Sequence, residues 1–119
     1  VTGIWQNPGQ PTLSYLLQQT GEQVVMKEVT TSILGAMVTA EGEGHLQGNQ
    51  LEILYRTVLG PMGQSTATLS EDGQQLTGTF QDFSTMVPMA LSLVRTGDVP
   101  GNLAGPGNEA WKAIQELGQ

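Results

Sequence analysis

The stretch from Gly60 to Arg95 reads GPMGQSTATLSEDGQQLTGTFQDFSTMVPMALSLVR. It holds three runs of alternating character, separated by turn residues. Ser65, Ala67 and Leu69 alternate with Gln64, Thr66 and Thr68. Glu71-Asp72-Gly73 follows, and Asp-Gly between alternating runs is the strongest short hairpin signal a sequence offers. Leu76, Gly78 and Phe80 then alternate with Gln75, Thr77, Thr79 and Gln81. After a second break, Met89, Leu91, Leu93 and Arg95 alternate with Ala90, Ser92 and Val94. A side-chain period of two means a strand with one buried face. The stretch is an antiparallel meander.

The preceding residues extend it. Val1 to Asn7 reads as a first strand, ended by Pro8-Gly9-Gln10-Pro11. Thr12 to Gln19 follows, with Leu13, Tyr15 and Leu17 on one face, and Thr20-Gly21-Glu22 turns into a β-branched strand over Gln23 to Thr31. Ser32 to Ala40 is the next strand, and Gly35 within it marks a bulge or bend. Glu41-Gly42-Glu43-Gly44 reads as a turn, as does Gly48-Asn49, after which Leu51, Ile53 and Tyr55 alternate with Glu52, Leu54 and Arg56. About eight strands by Arg95, with turns at this spacing, predict an all-β fold: an antiparallel up-and-down barrel. Three segments are expected: the barrel over 1–96, a Gly/Pro linker over 97–107, and a C-terminal helix over 108–119. In the last, Asn108 is placed to cap, and Trp111, Ile114 and Leu117 recur at helical spacing.

Composition narrows the partners. Eleven acidic residues against four basic ones give a net charge of -7. Nucleic acids and anionic membrane surfaces both require clustered Lys and Arg, so neither is an expected partner. The chain has no cysteine, so disulfides and thiolate metal sites are excluded. No apolar run is long enough for a membrane-spanning helix. The chain opens on Val1. That start fits removal of a leader, and a periplasmic or secreted protein is expected, with the cytoplasm as the alternative.

Few residues suggest chemistry. His45 is the only histidine, and a protein-held metal usually needs several convergent ligands; no metal or cofactor is expected. A Gly-x-Ser-x-Gly elbow and a phosphate-binding Gly loop are both missing from the sequence. Glu41 with Glu43, and Glu71 with Asp72, read as solvated turn acids. Glu28 and Glu52 lie within strands, and an inward-facing one would favour acid–base chemistry. The five methionines beside only two Phe and two Tyr suggest an adaptable apolar cavity. An eight-stranded barrel is just wide enough to be filled or to hold one small ligand.

Gly3-Ile4-Trp5 on the first strand, with Arg95 on the last, resembles the structural signature of the calycins, the superfamily of lipocalins, fatty-acid-binding proteins and avidins. The run L-S-x-D-G-x-x-L-x-G-T-F, Leu69 to Phe80, is similar to small bacterial lipocalin-like barrels. Some of those stand alone and others precede hydrolase or peptidase domains. The chain departs from the pattern at Phe80, where Trp is more usual, and from Gly97 onward. The resemblance implies that Arg95 packs across Trp5 near the closed end, and that the barrel binds rather than catalyses. Tyr15, Leu17, Met26, Met37, Tyr55, Phe80 and Met89 are the expected ligand-binding residues, and Gly3, Trp5 and Arg95 the structural ones. The expected function is non-catalytic binding of a small hydrophobic ligand. The alternative is a protein-interaction module with a filled barrel, such as an inhibitor, an immunity-type protein or an accessory domain of a hydrolase. Its C-terminal helix would meet a protein partner or a second copy. An enzyme on a barrel scaffold is the third and least favoured reading.

Overall fold

A computed structural model describes residues 1–98, and these form eight strands in chain order: β1 (Gly3–Gln6), β2 (Leu13–Thr20), β3 (Gln23–Ser32), β4 (Gly35–Gln47), β5 (Gln50–Thr57), β6 (Met62–Leu69), β7 (Gln75–Asp82) and β8 (Met89–Gly97). Each pairs antiparallel with the next, and β1 pairs with β8, so the sheet closes into a barrel. The meander expected over Gly60 to Arg95 is β6, β7 and β8, in the anticipated parity: Ala67 lies opposite Gly78, and Gly78 opposite Leu91.

Two local expectations are corrected. Glu41 to Gly44 is not a turn but the middle of β4, paired on one side with β3 and on the other with β5. Two glycines alternating with two acids mimic turn composition, yet the acids simply point outward, where Glu41 meets Lys27 at 2.7 Å. Gly35 is not a mid-strand bend either. It opens β4 directly after the Ile33-Leu34 hairpin tip and has a φ of 115°, a conformation that favours glycine. The bulge in this pair lies deeper, between Glu28 and Val29. The expected linker and helix lie outside the described residues.

The barrel has one packed end. Trp5, Val24, Leu46, Leu51 and Leu76 are all buried there, and the Trp5 indole donates to the Val1 carbonyl at 2.9 Å. Trp5 stands directly opposite Arg95 across the β1–β8 seam, so both side chains leave the sheet on the same side. Arg95 donates through Nε to the Thr2 carbonyl at 3.2 Å and pairs with Asp98. Its guanidinium runs over Gly3, where an added Cβ would lie 2.5 Å from Arg95 Nε. Glycine is therefore needed at this place in the Gly-x-Trp sequence for close approach.

Substituting Gly3→Ala is expected to push the guanidinium off the seam and to destabilise the fold by about 1–3 kcal/mol in urea unfolding. Combined with Arg95→Ala, the same change should cost less than it does alone, since part of the clash is gone. A Gly3→Ala protein as stable as its parent would contradict the placement. Trp5→Ala should cost about 3–5 kcal/mol, as for a fully buried indole.

Candidate functional site

In an up-and-down meander, alternate hairpins share an end. The β1–β2, β3–β4, β5–β6 and β7–β8 connections surround the end opposite the packed one. A cavity of about 220 Å³ opens towards it. Its wall is mainly apolar, with Leu17, Met26, Ile53, Leu76, Leu91 and Leu93. The space exists because several inward positions are small: Ala40, Ser65 and Ala67 all line it.

Five of the seven expected ligand-binding residues, Tyr15, Leu17, Met26, Tyr55 and Phe80, line this cavity. Met37 and Met89 do not. Both sit near the rim, more than half exposed, as do Met62 and Met86. The adaptable cavity expected from five methionines is thus corrected in its cause: Met26 is the one methionine that lines it, and small residues rather than flexible ones make the room.

Polar groups gather at the mouth in two cross-strand sets. The first spans β2, β3 and β4. Tyr15 stands opposite Glu28 on the inner face, close enough for the carboxylate's charge to bear on its phenol. The bulge leaves Thr39 as an extra residue facing Glu28. The Thr39 hydroxyl donates to Glu28 Oε1 at 2.7 Å and lies 2.9 Å from Thr30 Oγ1. The second set spans β5, β6 and β7. Tyr55 stands opposite Gly63, and Gly63 opposite Asp82. The Tyr55 ring lies across Gly63, where a Cβ would sit 2.3 Å from the phenol oxygen. The phenol thereby reaches Asp82 Oδ1 and donates to it at 2.6 Å. Glu28 and Asp82 both line the cavity.

Glu52, the other strand acid singled out by the sequence, faces outward and lies 3.4 Å from His45, with both side chains about half exposed. The alternation legible in the seventh strand runs from Gln75 to Gln81, one residue short of Asp82, where the strand ends. One more step of the Leu76, Gly78, Phe80 parity would have placed it inside.

Both phenols are held above the ordinary tyrosine value of 10.0. Loss of water is the main cause for each. The charge of Glu28 adds to it at Tyr15, and the hydrogen bond and charge of Asp82 add to it at Tyr55. The cavity can thus offer acceptor oxygens: a carboxylate has about four acceptor positions, and the phenol and threonine donors do not fill them. Chemically, the site suits a compact apolar body with a hydrogen-bond donor at one end.

Comparison with protein-family models, curated proteins and solved structures gives no match. The fold itself defines the class: a closed, eight-stranded antiparallel β-barrel, consistent with a calycin-like architecture.

With only two tyrosines in the chain, their ionisation is directly visible. Folded protein is expected to show no tyrosinate absorbance at pH 10. The unfolded chain ionises first, so the stability these phenols contribute is full below pH 10 and is lost as pH rises through their folded-state values. The melting temperature should fall correspondingly above pH 10. Asp82→Asn should bring the Tyr55 transition part of the way down. Two ordinary transitions near pH 10 in intact protein would contradict the buried pairs.

Proposed function

We propose that this protein is a lipocalin-like binding protein that holds one small, mainly apolar molecule in its barrel without transforming it. The cavity is the observation that carries the reading: about 220 Å³ walled by aliphatic side chains, with two hydroxyl-bonded carboxylates at its mouth. The volume exceeds the roughly 150 Å³ known to admit a benzene ring and falls short of the ~300–1,000 Å³ of drug-sized sites. It therefore suits a single ring or short branched chain rather than a long fatty acid. Glu28 and Asp82 would repel a carboxylate head, and an amine or alcohol head can donate to them. Leu17, Met26 and Phe80 enclose the apolar body, while Tyr15 flanks Glu28 and Tyr55 fixes Asp82, the carboxylates that orient the head. The Gly3, Trp5 and Arg95 seam supports the calycin kinship. Export to the periplasm or beyond fits this role.

Glu28 and Asp82 also favour a second reading, acid–base catalysis between two inward carboxyl groups. It ranks lower because each already accepts a hydroxyl hydrogen bond that holds it as an acceptor.

Calorimetric titration with single-ring compounds bearing amine, alcohol or carboxylate heads tests the proposal. Amine and alcohol heads are expected to bind with Kd of roughly 10–1,000 µM, and carboxylate heads at least tenfold more weakly. Ala67→Leu should fill the cavity and abolish binding while the barrel stays folded. No binding across the panel, or binding untouched by Ala67→Leu, would contradict the proposal. Recovery of altered compound would favour the catalytic reading.

A further inference from the structure

The two ends of the barrel differ sharply. The packed end turns through Gly21-Glu22, Gly48-Asn49 and Glu71-Asp72-Gly73, all polar. At the mouth, the β3–β4 hairpin tip is Ile33-Leu34, and the β5–β6 tip contains Val58-Leu59. Ile33 is 103% exposed, Leu34 94% and Leu59 91%. Phe83, Met86 and Val87 stand exposed on the β7–β8 loop. Among the described residues, every exposed large apolar side chain except Leu54 belongs to this end.

The three hairpins themselves carry no charge, although Glu28 and Asp82 lie just below them at the mouth and the exposed Arg56 stands beside Thr57. Residues 29–40, 57–70 and 83–94 each hold one of these three hairpins and contain no Asp, Glu, Lys or Arg. The shoulders of the first two tips are hydroxyl-bearing instead, with Thr31 and Ser32 and with Thr57, and Ser84 and Thr85 lie within the third between Phe83 and Met86. Apolar points above a hydroxyl collar match the step from hydrocarbon to headgroup at a lipid surface. On β6 and β7 the wall below the collar is polar, with Gln64, Thr66, Thr77 and Gln81 facing out, the reverse of a lipid-spanning barrel, whereas the outer face of β1–β4 carries a second apolar cluster of Ile4, Leu16, Val25 and Val29. Among the described residues, the large apolar side chains left exposed to solvent, Leu54 apart, gather at the rim.

We propose that these hairpin tips insert shallowly into the surface of an electrically neutral bilayer, so that the cavity opens onto the membrane. The tips are separate prongs around an opening. A fluid phase can envelop prongs one by one, whereas a rigid protein surface would need a matching socket for each. The tips carry no cation to attract a negative headgroup, the nearby Arg56 is paired with Glu41, and Glu28 and Asp82 at the mouth would repel an anion, so neutral lipid is favoured over anionic. The inference does not depend on which molecule occupies the cavity, or on whether one does.

Co-sedimentation of the full chain with pure phosphatidylcholine vesicles, at low and high salt, tests it. The protein is expected to pellet with the vesicles at both salt concentrations, because burial of apolar surface is insensitive to screening. Ile33→Ser with Leu34→Ser, and Val58→Ser with Leu59→Ser, should each weaken partitioning by roughly tenfold or more. Leu54→Ser, the exposed apolar residue on the wall, should not change it. Circular dichroism of each variant establishes that the barrel is intact. Protein that stays in the supernatant would overturn the proposal. Binding confined to anionic vesicles and lost in salt would do the same, as would tip variants that bind like the parent. A dimer dissolved by the tip substitutions, without vesicle binding, would assign the rim to a second copy instead.

Discussion

The structure depends on the closure of β1 onto β8. β1 is only four residues long, and without it the sheet would keep two open edges and no interior. Closure must therefore be reinforced from outside the ladder. Trp5 supplies a fully buried anchor on the inner side. Arg95, directly opposite, ties the seam to the Thr2 carbonyl and to Asp98. Gly3 leaves the space through which the guanidinium passes. Residues as many as 93 positions apart are thus joined by one packing arrangement, and everything inside the barrel follows from it.

Given closure, side-chain size decides what the interior becomes. The packed end is filled by Trp5, Val24, Leu46, Leu51 and Leu76. Towards the mouth the inward positions shrink to Ala40, Ser65 and Ala67, and a cavity remains. Gly63 then acts by absence a second time. As Gly3 admits Arg95, Gly63 admits the Tyr55 ring and lets its phenol cross β6 to Asp82. Two glycines at close approaches define the two ends of the interior, one sealed by a cation and one lined with acceptors.

Parity made the fold legible in the sequence. Leu76, Gly78 and Phe80, and Leu51, Ile53 and Tyr55, each identify their strand and inner face without further information. The same rule places Tyr15 and Tyr55 inside; Glu28 and Glu52 stand out only as acids within strands, and of the two Glu28 lines the cavity. Legibility failed where composition imitated something else. Gly42 and Gly44 beside Glu41 and Glu43 have turn composition but lie in a strand, because close approach to β5 also selects glycine. Ile33 and Leu34 resemble core residues, yet they occupy a hairpin tip, since burial depends on where the chain reverses and not on hydrophobicity alone. Thr39 could not have been found at all: its place beside Glu28 comes from a bulge that pairing creates and that no local residue announces.

Nuclear Overhauser contacts across the β1–β8 seam test closure most directly. Backbone contacts are expected between Trp5 and Arg95 and between Gln6 and Val94, with slowly exchanging amides on both strands. Absence of those contacts, with rapid exchange along β1, would mean an unrolled sheet and would contradict the closed barrel and the cavity within it.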